Sequence, residues 1–187
     1  MTHDIIGDVH GHADQLEALL TKLGYQERGG AWRHPSRTAI FVGDLIDRGP
    51  GQLRTLKLVR AMLNSGSARA VMGNHELNAI AWATPDPVND GRHLRHRHGA
   101  RGIKNHSQHA AFLAEIGPDS SEHQAWIDWF YELPLWIEQD GFRVVHACWD
   151  PQAVGLLLAH LREGARLTPA LVEASSRKGS QLGVLSG

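Results

Sequence analysis

Four polar clusters in this sequence combine carboxylate, amide and imidazole groups at spacings that suit metal-assisted hydrolysis. Asp8 and His10 lie in Gly7-Asp8-Val9-His10, and Asp44, Asp47 and Arg48 lie in Gly43-Asp44-Leu45-Ile46-Asp47-Arg48-Gly49. Asn74 and His75 lie in Gly73-Asn74-His75-Glu76, and His146 follows Arg143-Val144-Val145. Calcium takes oxygen ligands, whereas manganese, iron and zinc also accept imidazole, so Asp8, His10, Asp44, Asn74 and His146 form a donor set for the latter group. Two such ions about 3.5–4 Å apart, bridged by a carboxylate, share a water, lower its pKa and clamp the attacking and leaving oxygens of a displacement at phosphorus. Asp44 is the candidate bridge. Arg48 can offer a planar fork of donors to two phosphate oxygens. His75, next to the ligand Asn74, is placed to protonate a leaving oxygen, with Asp47 as the carboxylate that orients it.

Each cluster needs an element that delivers it. Short β-type runs precede all four, at Asp4-Ile5-Ile6, Ala39-Ile40-Phe41-Val42, Ala70-Val71-Met72 and Arg143-Val144-Val145. In open α/β sheets, ligands collect beyond the carboxyl ends of the strands, so four strand ends can converge on one point. Leu16, Leu19, Leu20 and Leu23 recur at helical spacing before Gly24, and Leu53, Leu56, Val59 and Leu63 do so between Pro50 and Gly66. This β-α-β-α-β rhythm predicts parallel strands, right-handed crossovers and helices covering the sheet. Residues 25–36 read as a turn with a short edge strand, and a further helix runs from the Gly73 cluster to Pro85.

Residues 85–105 break the rhythm with prolines, glycines, four arginines and His93, His96 and His98. They read as an insertion loop, a solvated lid in which Arg92, Arg95 and Arg97 steer an anionic substrate. Helices over 107–115 and 122–131 carry Phe112, Trp126, Trp129 and Phe130 and form a small helical cap. Residues 133–138 and 142–145 form a hairpin about Asp140-Gly141. A last helix runs from Pro151 to Gly164, and 175–187 is a flexible Ser/Gly-rich tail. Glu76 reads as an acid favoured at a helix N-terminus, Cys148 as a small buried hydrophobe.

With 187 residues, 42% of them apolar, the chain suits one domain, taken as 1–174 with 85–132 as its loop and cap. A formal charge of -1 provides no global field for nucleic acid or an anionic membrane. A single cysteine rules out an internal disulfide, and no apolar run approaches the roughly 18 residues of a membrane span. The expectation is a soluble, cytoplasmic protein.

Taken in order, Gly-Asp-Val-His-Gly, Gly-Asp-Leu-Ile-Asp-Arg-Gly and Gly-Asn-His-Glu resemble the calcineurin-like metallophosphoesterase superfamily. The branch is that of serine/threonine protein phosphatases and symmetrical diadenosine tetraphosphate hydrolases, and the likeness covers residues 4–150. It implies an α/β/β/α sandwich of two mixed sheets. It also implies two divalent metals, manganese first and iron or zinc otherwise, with Asp8, His10 and Asp44 on one and Asp44, Asn74 and His146 on the other. Arg48, Asn74 and His75 would bind substrate, and the His75–Asp47 pair would serve the leaving group. The substrate would be a phosphoprotein or a phosphorylated small molecule such as a dinucleoside polyphosphate. Members carry one more metal-binding His in a Gly-His pair, and the only histidine here after His146 is His160, in a helical segment. That role is not transferred. The sandwich is therefore expected to be incomplete at the C-terminus, and the alternative reading is a catalytically impaired metal- or phosphate-binding module.

Overall fold

Parallel pairing fixes where the clusters go. In the computed structural model, which describes residues 2–139 and 141–177, strands β1 (Thr2–Ile6), β4 (Arg37–Phe41) and β5 (Ala68–Ala70) form a parallel sheet in the order β1-β4-β5. Ile6 is level with Phe41, and Phe41 with Ala70, so the three strands end at one height and their polar loops leave from one edge. The crossovers carry α1 (Ala13–Lys22) and α2 (Gln52–Asn64). Their apolar stripes, Leu16 and Leu20 on α1 and Leu56, Val59 and Met62 on α2, join Ile6, Ala39 and Phe41 in the main core. Residues 25–36 hold two short strands, β2 (Gln26–Arg28) and β3 (Ala31–Arg33), paired antiparallel about Gly29-Gly30.

The other face of the sheet is covered by the expected hairpin, β6 (Trp136–Gln139) with β7 (Phe142–Val145). Asp140, at its turn, lies outside the described residues. Ile137 and Val144 pack on Ile40 and Val71, making a second, separate apolar cluster between the two sheets. Alternation sends Trp136 and Val145 to the opposite face. There they line a cavity of about 400 Å³ whose far wall is Ala153, Val154 and Leu157 of α6 (Pro151–Leu158). Helices, parallel sheet and hairpin thus stack as layers, with α6 bordering the hairpin across this cavity.

Several elements differ from the sequence reading: besides the two-stranded pair at 25–36, the last expected helix, 151–164, ends at Leu158. After α3 (Asn74–Ala83), helix α4 (Gly99–Ile116) begins well before residue 107, because its first turns lie on the surface and show no apolar period. With α5 (Ser121–Phe130) it brings Phe112, Trp126, Trp129 and Phe130 into the main core, so the helical cap is continuous with the domain. The segment 85–98 is folded back on α3 by an antiparallel bridge between Pro85 and His93 and by Leu94 N–H to Thr84 O at 3.0 Å. Finally, α7 (Pro169–Ser175) buries Leu171, Val172 and Ser175, so the expected flexible tail 175–187 does not begin at Ser175, which packs inward, and its part from 178 onward lies outside the described residues.

Arg97 anchors this folded-back segment. Its Nη1 and Nη2 donate to the two carboxylate oxygens of Asp119 at 2.9 Å each, its Nε donates to Trp82 O at 2.9 Å, and its guanidinium lies 5.2 Å from the Trp82 ring centre. We expect Arg97→Ala to lower stability by about 1–3 kcal/mol, most of it from the Trp82 contacts because Asp119 is exposed. Thermal unfolding checks this, and no shift in the midpoint would refute it.

Candidate metal centre

Asp44 sits at the middle of the site. It follows Gly43 at the end of β4, where a Cβ on Gly43 would run into the backbone of Met72 and Gly73, so only glycine lets the two loops meet. His10, Asp44, Asp47 and Arg48 adopt the left-handed region, with φ of 48°, 52°, 73° and 69°. Val9 N–H and His10 N–H donate to Asp44 O at 3.0 and 2.9 Å, and Gly11 N–H to Leu45 O at 2.8 Å, knitting the first two loops together. The third loop is tied in by Glu76, fully buried on the first turn of α3. Its Oε2 accepts from Asp44 N–H and Gly73 N–H at 2.9 Å each, and its Oε1 from Leu45 N–H at 2.8 Å and Ile46 N–H at 3.4 Å. Burial, and then the nearby Asp44 charge, push the Glu76 carboxyl above its ordinary range, against the opposing pull of those backbone donors.

Whether these side chains suit a cation is decided by where their lone pairs point. His10 Nδ1 lies 2.9 Å from Ile46 O, a carbonyl that can only accept, so Nδ1 carries the proton and Nε2 the lone pair. That Nε2 is buried with no hydrogen-bond partner, 3.8 Å from Asp8 Oδ2 and 3.9 Å from Asp44 Oδ2. His146 repeats the arrangement. Its Nδ1 donates to Val42 O at 2.7 Å, leaving Nε2 facing Asn74 Oδ1 at 3.0 Å and Asp44 Oδ1 at 3.6 Å. Acceptors turned on one another in this way are what a cation between them satisfies. Two groups have donor atoms within 4.8 Å of one another, His10 with Asp44 and His75, and Asp8 with Asp44 and His146. Asp44 is common to both, and the grouping departs from the expected one by exchanging Asp8 and His75. Asp8 itself is half exposed, with side-chain accessibility of 51%.

The expected His75–Asp47 pair also forms. His75 Nδ1 is 2.5 Å from Asp47 Oδ2, and His75 N–H donates to Asp44 Oδ1 at 3.0 Å. The Asp47 hydrogen bond raises the pKa of His75 above its ordinary value, with burial opposing. Burial alone would raise the Asp47 carboxyl, but hydrogen bonds from His109 and His75 outweigh it and hold that carboxyl below the usual range. His109 is a residue the sequence reading missed: it is buried on α4, with Nδ1 2.7 Å from Asp47 Oδ1. Its only sequence signal was its place in an apolar helix frame with Phe112 and Leu113. Gln52, at the start of α2, adds a further support by accepting from Asp47 N–H at 2.7 Å.

Arg48 is brought to the same loop, but its side chain is exposed and makes no ion pair among the described residues. His160 lies exposed in the turn after α6, away from this cluster of donors. Cys148, expected to be buried, is exposed and lines the cavity beside His146 and Asn74. It follows β7 as the chain leaves the sheet, where no neighbour covers it. Among the described residues no helix is long and apolar enough to cross a membrane.

The chain is 34% identical over 148 residues to the symmetrical bis(5'-nucleosyl)-tetraphosphatase of Ralstonia nicotianae, covering 79% of this chain and 42% of that protein. It is 47% identical over 76 residues to the asymmetrical bis(5'-nucleosyl)-tetraphosphatase PrpE of Oceanobacillus iheyensis, covering 40% and 30% respectively. The chain therefore spans less than half the length of either relative. In fold it is similar to a cold-active protein tyrosine phosphatase, with a TM-score of 0.52 at 20% identity over 84% of this chain and 45% of the other. The sequence model of the calcineurin-like phosphoesterase family matches residues 1–162. On that match, the chain belongs to the calcineurin-like phosphoesterases.

Proposed function

We propose that this single domain is a metal-dependent phosphoesterase acting on a phosphoanhydride or phosphoester, with a dinucleoside polyphosphate as the substrate class. The observation that carries the reading is the position of Asp44, with Oδ2 3.9 Å from the unpartnered, buried Nε2 of His10 and Oδ1 3.6 Å from Nε2 of His146. Asp8, His10, Asp44, Asn74 and His146 would hold two divalent ions, manganese by preference, and such ions would supply an acidified water and charge neutralisation at phosphorus. His75, whose pKa the Asp47 hydrogen bond raises, would turn its Nε2–H toward the leaving oxygen. Arg48 and Asn74 orient the phosphoryl group, Arg48 through its free fork of donors. The names of the relatives support the nucleotide class, and the near-neutral net charge weighs against nucleic acid. A single exposed cysteine fits a reducing cytoplasm.

The test is hydrolysis of p-nitrophenyl phosphate with added manganese, wild type against Asp44→Asn. Since outer-shell changes alone cost 10–100-fold, loss of the shared carboxylate should lower the rate by more than about 100-fold. A wild type no faster than Asp44→Asn would replace the enzyme reading with that of a binding module.

A further inference from the structure

The arginines between α3 and α4 have different surroundings. Arg97 is committed to Asp119 and Trp82, and Arg92 is exposed. Arg95 is half-buried, and its backbone N–H donates to Ala81 O at 3.0 Å, which fixes it to α3. Its Nη1 donates to Asn78 Oδ1 at 2.6 Å and its Nη2 to Gln108 Oε1 at 3.0 Å. Both partners are neutral amides, and no carboxylate pairs with it among the described residues. A guanidinium has five N–H donors in a rigid fork, so two amide acceptors orient it without using it up.

The two amides also say where the fork lies. Asn78 comes three residues after His75 and four after Asn74, on the same face of α3 about one turn, roughly 5.4 Å, further along. Gln108 immediately precedes His109, whose Nδ1 touches Asp47. The Asp47 charge is felt at Arg95, where it opposes the larger effect of burial. A positive group without a counter-ion is thus fixed at the rim of the leaving-group pair.

We propose that Arg95 is a second anion subsite, one helical turn along α3 from His75, which binds a phosphate of the substrate that is not transferred. This rests on the phosphoesterase reading and deepens it, because such a subsite favours contiguous phosphates over a lone phosphomonoester. The probes are orthophosphate and a tripolyphosphate whose bridging oxygens are replaced by methylene groups to prevent hydrolysis, titrated calorimetrically into the manganese-saturated protein. Chelation of manganese by tripolyphosphate is common to wild type and variants and cancels in the comparison. Arg95→Ala should weaken tripolyphosphate binding by about 10–100-fold, the worth of one charge-assisted contact, and orthophosphate binding by less than about threefold. Arg95→Gln, which can still hydrogen-bond the amides, should behave likewise and guards against a folding defect. Arg92→Ala on the same loop should leave the preference for tripolyphosphate in place at physiological salt. Unchanged preference in both Arg95 variants, or equal loss for both anions, would overturn the subsite. Absence of orthophosphate binding in the wild type would instead count against the phosphoesterase reading itself.

Discussion

Replacing His75 by Asn is expected to slow hydrolysis of an alkyl phosphate by about 100- to 10,000-fold, the range that a positioned general acid contributes. The same variant should slow p-nitrophenyl phosphate far less, since p-nitrophenolate leaves without needing a proton. The reason lies in the geometry. With Nδ1 committed to Asp47 at 2.5 Å, the only proton His75 can give is on Nε2, and Asp47 favours the charged ring that carries it. Asp47→Asn should show the same leaving-group dependence in weaker form, because the ring keeps its place but loses the charge that sustains its proton. Steady-state rates on the two substrates decide the matter, and equal losses on both would remove His75 from the role.

Glu76→Gln should be the most destabilising conservative change in the molecule. The glutamine matches the size of the side chain but turns one oxygen into an NH₂ group. Whichever oxygen is lost, two backbone donors then face a donor, either Asp44 and Gly73 or Leu45 and Ile46. Each buried unsatisfied group costs about 1–3 kcal/mol, giving roughly 2–6 kcal/mol for the pair. For a domain of this length each kcal/mol moves the thermal midpoint by about 2–4 °C. A midpoint within about 2 °C of wild type would show that the loops do not depend on this carboxylate.

What the sequence made legible was whatever repeats a local rule. Asp8, His10, Asp44, Asn74 and His146 each follow a β-type run, so their convergence could be read from periodicity and strand ends alone. Glu76 could not be read in this way. It binds backbone N–H groups, which every residue but proline possesses, so its partners leave no trace in residue type. Arg95 was hidden for a different reason. The first turns of α4 are exposed and show no apolar stripe, so 85–105 read as a mobile lid whose arginines were alike. Only the fold separates Arg97, bound to Asp119, from Arg95, held by amides beside Asp47. Cys148 misled by type, since a small apolar side chain is usually buried, yet here it leaves the sheet into a cavity.

The left-handed backbone at His10, Asp44, Asp47 and Arg48 has a consequence for what each position tolerates. A side chain in that region costs roughly 1–2 kcal/mol relative to the ordinary helical or extended conformation, and glycine avoids most of it. At these positions mutation toward glycine therefore relieves strain and removes chemistry in one step. At Asp47 that relief is offset, because glycine there would also strand the buried ring nitrogens of His75 and His109 that the carboxylate now accepts from. What holds the strained loops in place within the fold is their hydrogen bonding, from Val9 and His10 N–H to Asp44 O and from Asp47 N–H to Gln52 Oε1.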